Sequence, residues 1–269
     1  MIPLVVFYEK DHRYVRTSDG KVLTSSTTVV GKYHFFDREF WLIYKVGELV
    51  LAPEIFQWLK VNFLDRDKER MKREIIQRVG WHTIRYYQDM IGESWDLNSE
   101  QSLQKGSYYH GYRENEAVEL GRIRNPKDNL VYLTYTKPKL EYDNYFYTHW
   151  KADHFYPERL LYWKDYCGTV DKTFAKAWNK VDVGDYKTSK TIEKTSYKSQ
   201  RMLEPLNHLE DCNYNHYSLQ LSIYAYMLEK LFGVEVDNLY IDHKPDLDSR
   251  YRRYIDVPYL KKEVEMILV

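Results

Sequence analysis

A short apolar run opens the chain. Residues 2–8 and 12–16, rich in Val, Phe and Tyr, predict paired strands, and Asp19-Gly20 supplies a turn. In Ser25-Ser26-Thr27-Thr28 the hydroxyl side chains can satisfy orphan N–H groups, which predicts a capped start to a short helix. From residue 37 to 94 the spacing turns helical, and the charged run 65–73 reads as a solvated helix face. A further helix is predicted over 99–120, ending near Gly121. Residues 122–157, with Pro126, Pro138 and Pro157, read as an aromatic loop; within it Tyr142 to Tyr147 fits either a short strand or a binding loop. Three consecutive strands are predicted at 159–163, 166–176 and 180–187, followed by a polar, basic connection over 188–209. Residues 214–232 form a helix stopped by Gly233, 238–243 and 251–257 are strands, and 259–268 is a closing helix. The order helix, three strands, helix, strand predicts an α/β fold with helices packed on a mixed sheet.

Composition narrows this reading. The 269 residues allow one large domain, or one domain with a sizeable insertion. With 43% hydrophobic and 30% charged residues, a packed core is expected and extensive disorder is not. A net charge of zero argues against a chain coated in basic residues, yet leaves room for a local basic groove. Most of the 27 tyrosines must be structural, and some can offer stacking surfaces to unpaired bases. Cys167 and Cys212 are too few and too scattered for a zinc knuckle or an iron–sulfur site, and are expected to be reduced thiols in a cytosolic protein. Residues 1–10 lack a basic lead and a cleavage site, so no signal peptide is expected, and no apolar run is long enough to span a membrane.

The chemistry concentrates in Gly168-Thr-Val-Asp171 and Val183-Gly-Asp185-Tyr-Lys187-Thr188. They read as adjacent strands of a hairpin, with Asp171 on the first and Asp185 and Lys187 on one face of the second. Two carboxylates suit a hard cation such as Mg²⁺ or Mn²⁺, and a neighbouring ammonium suits an anionic transition state. Upstream, Gly106-Ser-Tyr-Tyr-His110 puts His110 four residues before Glu114, on one helix face. His110 can be a third ligand beside the hairpin; alone, it would read as a helix-surface histidine bonded to a neighbour. Gln220 and Tyr224 share a face of the helix after the hairpin and can hold a phosphate or a base edge, or simply pack with polar tips. The connection beyond carries Lys190, Lys194, Lys198 and Arg201, which reads as a clamp on a nucleic-acid backbone or as a solvated loop.

The ordered set Gly-x-x-x-His, Gly-x-x-Asp, Asp-x-Lys-Thr and Gln-x-x-x-Tyr resembles the PD-(D/E)XK nuclease superfamily, and within it the RecB-like exonucleases. The resemblance covers roughly 110–243. A looser likeness, His12-Arg-Tyr14 followed by Leu23-Thr-Ser-Ser-Thr-Thr-Val29, is similar to the start of phage-encoded members and of relatives of the mitochondrial genome maintenance exonuclease. The resemblance implies an α/β/α restriction-endonuclease-like core with a mixed central sheet over 106–269. Residues 1–36 would be N-terminal strands and a short helix, and 37–105 a helical elaboration serving as arch, wall, scaffold or oligomer surface. Its tryptophans, Trp41, Trp58, Trp81 and Trp95, are expected in its core rather than stacked on bases. By the same resemblance Asp171 and Asp185 are the metal-binding acids, Lys187 the catalytic lysine, and His110 the helix-borne ligand. Tyr186 would complete the metal shell with its backbone carbonyl, Glu114 would add an extra acid, and Gln220 and Tyr224 would be the motif after the lysine strand. The iron–sulfur members need four cysteines, so that cluster is not expected.

The implied activity is Mg²⁺- or Mn²⁺-dependent exonucleolytic cleavage of DNA, single-stranded or with free ends, in phage recombination, replication or genome processing. A single-strand annealing or replication protein is the implied companion. The same core also serves structure-selective and nicking endonucleases. A non-catalytic DNA-binding or assembly protein on a decayed nuclease fold is the alternative outside enzymes; the intact Asp171, Asp185 and Lys187 argue against it.

Overall fold

A mixed sheet of ten strands organises the residues around the Asp171 hairpin. The computed structural model describes residues 5–8, 11, 13–135 and 151–269, except the side chains of Trp178 and Lys198. The expected strand residues 2–4, His12 and the stretch from Tyr142 to Tyr147 lie outside the described residues. Two compact units are formed, one by Met1–His34 with Lys105–Val269 and the other by Phe35–Gln104.

In the first unit, β1 (Val5–Tyr8), β2 (Arg13–Arg16) and β3 (Val22–Ser25) form an antiparallel meander. β3 then lies parallel to the start of β7 (Tyr166–Ala175), so the opening strands expected as a separate segment extend the main sheet. β7 is antiparallel to β6 (His154–Trp163) and, further along, to β8 (Lys180–Lys187). β8 pairs in parallel with β9 (Glu235–His243), and β10 (Arg253–Val257) closes that edge. The α/β class with a mixed sheet is therefore as expected. The reading of 122–157 as loop is corrected: β4 (Arg122–Arg124) and β5 (Val131–Thr134) form a hairpin, and β6 begins at His154. Asn125-Pro126 carries turn chemistry, and such short strands leave too few alternating positions to register in sequence.

Helices α1 (Ser26–Gly31), α6 (Asn213–Phe232) and α7 (Lys261–Leu268) pack over the sheet. They bury Val29, Val30, Leu219, Ile223, Met227 and Val264 against Val181, Val183 and Ile241 in one apolar cluster. Ser25 accepts the Thr28 N–H as the N-cap of α1, and Gly233, at φ 63°, ends α6 in the left-handed conformation that a glycine adopts freely. A second cluster, Ala117, Tyr132, Phe155, Phe174 and Tyr240, brings in the end of α5 (Trp81–Leu120). α5 corrects another expectation: the helix predicted to start near residue 99 begins at Trp81 and runs without a break. Nothing between residues 94 and 99 is a proline, so nothing there forces the helix to stop.

Strict alternation fails where the acids gather. Tyr156 and Leu161 belong to one apolar cluster although they are an odd number of residues apart, as do Val170 and Ala175 on the partner strand. Between them lie Glu158, a non-glycine residue at φ 46°, and Asp171. Such a break re-aims side chains without ending the sheet, a device concentrated beside functional sites.

The Phe35–Gln104 unit has its own core. α2 (Arg38–Val50), α3 (Pro53–Phe63) and α4 (Lys68–Val79), with the first turns of α5, bury Phe40, Ile43, Leu59, Met71 and Ile75. Trp41 packs on this core as expected, whereas Trp58 and Trp81 are half exposed, Trp58 lying against Phe63 and the Arg78 guanidinium. The charged run 65–70 is exposed. Among the described residues no helix is long and apolar enough to cross a membrane.

Candidate metal centre

Strand register builds the site. Lys172 pairs with Pro157 on one side and Gly184 on the other, which puts Glu158, Asp171 and Asp185 at one level of β6, β7 and β8. Asp171 and Asp185 are almost wholly buried. Asp171 Oδ2 accepts the Tyr186 N–H at 2.6 Å, which fixes the carboxylate and leaves Oδ1 facing His110. From α5, His110 Nδ1 stands 3.3 Å from Glu158 Oε1 and 3.4 Å from Asp171 Oδ1, while Nε2 is 3.1 Å from the Tyr186 carbonyl. Both ring nitrogens thus face acceptors, the arrangement of an imidazolium. Burial pulls its pKa down, but the Asp171 charge and the hydrogen bonds to Asp171 and Glu158 outweigh burial and push it up to about 11.

Asp185 is opposed by its surroundings. Burial and the neighbouring Asp171 charge push its carboxyl up to about 6, against the pull of Lys187 and His110. Lys187 forms an ion pair with Asp185 and lies 3.3 Å from Gln220 Oε1 and 4.8 Å from the centre of the Tyr217 ring. Burial disfavours its charge, but Asp185 and Asp171 more than compensate, so the ammonium is held above its ordinary pKa. Gln220 continues the chain by donating to the Tyr224 hydroxyl at 3.0 Å. Two glycines permit this packing. A Cβ on Gly168 would come within 2.6 Å of the Tyr224 ring and 2.8 Å of Ser26 Oγ, and one on Gly184 within 2.5 Å of the Tyr240 ring. Gly-x-x-Asp and Gly-Asp-x-Lys therefore need glycine so that aromatic rings can lie directly on the strands.

The structure sets His110 beside Asp171 and the Tyr186 carbonyl, and Lys187 beside Asp185 and Gln220, which reaches Tyr224. Asp185, expected as a ligand, stands outside the close group of His110, Glu158 and Asp171. Glu114, expected as the extra acid, does not join the group around His110; Glu158 stands there instead, supplied by β6 rather than by the helix. No spacing in the sequence marks Glu158, and only Pro157 before it hints at an irregular strand. Lys190, Lys194 and Arg201 are exposed on the connection after β8, with Lys194 over the Tyr214 ring and Arg201 donating to the His208 carbonyl. The Lys198 side chain lies outside the described residues.

The donors fit a hard divalent cation. Among the described residues, the side chains within reach of one ion here are His110, Glu158 and Asp171; the two carboxylates offer hard oxygen donors, and the imidazole widens the choice toward Mn²⁺. Glu158 Oε1 and Asp185 Oδ2 are buried, and each faces a cationic side chain, His110 and Lys187. No protein-family model, curated protein or solved structure matches the chain.

The protonated His110 gives a prediction. A cation taken up here must displace its Nδ1 proton, and Asp185 must also ionise, so Mn²⁺ affinity should rise with pH and binding should release protons. His110→Gln should release fewer protons and narrow the Mn²⁺ preference over Mg²⁺. Calorimetry in buffers of different ionisation enthalpy measures this; equal proton release by variant and wild type would leave the imidazole outside the metal shell.

Proposed function

We propose that the chain is a divalent-metal-dependent deoxyribonuclease of the PD-(D/E)XK type, on a restriction-endonuclease-like α/β/α core, that degrades DNA from ends. The observation that carries this reading is the single level of Glu158, Asp171 and Asp185 across three strands, with Lys187 on one side and His110 on the other. A bound cation supplies Lewis acidity toward a phosphoryl oxygen and makes a water more acidic. The chain's own residues do the rest. Asp171 is oriented by the Tyr186 N–H, so its other oxygen is aimed at His110 before any ligand arrives. Lys187, held charged by the acids, offers a proton donor and a positive charge to a phosphorane-like transition state. Gln220 positions Lys187, and Tyr224 positions Gln220. Burial of the acids excludes bulk water and strengthens each of these interactions.

End-labelled linear DNA and covalently closed circular DNA, incubated with Mg²⁺ or Mn²⁺, test the proposal. Loss of the linear substrate with the circle left intact is expected. Cleavage of the circle would move the assignment to an endonuclease, and no cleavage of either substrate with either ion would overturn it.

The exposed connection after β8 makes a further expectation. If Lys190 and Lys194 hold backbone phosphates, the double alanine variant should flatten the log–log salt dependence of DNA binding by about 1.4–1.8, since each contact contributes roughly 0.7–0.9. Turnover at saturating DNA should change little. Binding measured across a salt series decides; superimposable lines would make the segment a solvated loop.

A further inference from the structure

A second group of ligating side chains gathers apart from Asp171, and it does not depend on the nuclease reading. His34 follows α1, Asp211 precedes α6, and His216 lies in the first turn of α6. The Asp211 side chain is fully buried. Its Oδ1 has His34 Nδ1 at 2.8 Å and His216 Nε2 at 2.6 Å. Its Oδ2 accepts the Gln200 amide at 3.1 Å and lies 3.0 Å from His34 Nδ1. The two imidazole rings stand edge to face, 5.1 Å apart.

We propose that His34 Nδ1, Asp211 Oδ1 and His216 Nε2 form a binding site for a divalent transition-metal ion of the zinc class. Two imidazoles and one carboxylate are a borderline donor set, which selects Zn²⁺ or Co²⁺ over Mg²⁺. Three protein ligands leave a fourth tetrahedral position, and His34, 41% exposed, gives that position access to water. Zn–ligand bonds of about 2.0–2.1 Å put tetrahedral donors about 3.3–3.4 Å apart, so the present contacts need open by only about half an ångström or slightly more. His34 sits in a turn, where such a shift is easiest. Gln200 acts as the outer partner that orients a ligating carboxylate, binding one oxygen and leaving the other to the ion.

The site would tie three segments that already touch. The Leu203 N–H donates to the Tyr33 carbonyl at 2.8 Å, and the Asp211 N–H to the Gln200 carbonyl at 2.8 Å. An ion would therefore staple the end of the basic connection to the start of α6 and to the turn after α1. Whatever takes the open fourth position, the ion would hold in place the segment that carries Lys190, Lys194 and Arg201.

The test is a Co²⁺ titration of the metal-stripped full chain in excess Mg²⁺, followed by visible absorption, with Zn²⁺ as competitor. One equivalent is expected to bind with the bands of imidazole-ligated Co²⁺, to persist in Asp171→Asn, and to be lost in His34→Gln and His216→Gln. Gln200→Ala should weaken it about 10–100-fold. Zn²⁺ should raise the thermal midpoint of the wild type and not of His34→Gln. Because His34 is exposed on a turn, its variant remains informative even if His216→Gln does not fold. Two results would overturn the proposal: no Co²⁺ uptake in Asp171→Asn, or equal uptake by wild type and His34→Gln. Either would reduce the group to a hydrogen-bonded His–Asp–His triad.

Discussion

Asp185→Asn is expected to reduce metal-dependent cleavage by at least about 10²–10³-fold while making the metal-free protein more stable at pH 7.5. The two effects share one cause. Burial and the Asp171 charge raise the folded-state pKa of Asp185 to about 6, above its unfolded value. A carboxyl raised in this way favours the folded state while protonated. That contribution is complete below the ordinary carboxylate range and is lost as pH rises through about 6. At pH 7.5 the ionised Asp185 therefore destabilises the empty site, and a divalent cation relieves it. Asparagine keeps the shape and removes the charge. The metal-free variant is therefore expected to melt above the wild type at pH 7.5. The gain should vanish at pH 4, where the wild-type carboxyl is itself protonated. Thermal melts at both pH values, with and without Mn²⁺, measure it. A variant that melts lower at pH 7.5, or that retains turnover, contradicts this account of the site.

The same site shows what sequence could and could not reveal. Asp185 and Lys187 were readable because a strand repeats every two residues, and Gln220 and Tyr224 because a helix brings residues four apart together. His110 was readable as a candidate only beside the hairpin; its contact with Asp171 spans a long sequence separation that no local pattern encodes. Glu158 was missed for a related reason. Its place depends on the register between β6 and β7 and on a left-handed backbone turn at a residue that is not glycine, and neither leaves a mark in composition. Glu114 drew attention instead because it shares a helix face with His110, but sharing a face does not say which sheet carboxylate faces that helix. β4 and β5 were hidden by their length, and the parallel pairing of β3 with β7 by its long range. The His34–Asp211–His216 group was equally invisible, since only the folded connection brings residue 34 to the start of α6.

Lys187→Ala should lower the single-turnover rate by about 10²–10³-fold and leave Mn²⁺ binding intact or tighter. The ammonium is an ion-pair partner of Asp185, so it competes with a cation for the same carboxylate. Removing it frees a ligand oxygen, and what is lost is the charge facing the transition state. The acids hold Lys187 above its ordinary pKa, so it stays protonated throughout the working pH range and cannot be the general base. Its activity contribution should therefore add no titration of its own to the pH–rate profile. Arginine should not rescue it. The side chain is confined between Asp185, Gln220 and the Tyr217 ring, and a planar guanidinium needs a wider slot than a compact ammonium. Gln220→Ala should cost less than Lys187→Ala, because it loosens the lysine without removing the charge, and Tyr224→Phe should cost less again. Calorimetric Mn²⁺ titration alongside single-turnover rates separates the roles. If Mn²⁺ affinity collapses together with the rate in Lys187→Ala, the lysine is holding the acids in place and the charge it offers to phosphorus is not its function.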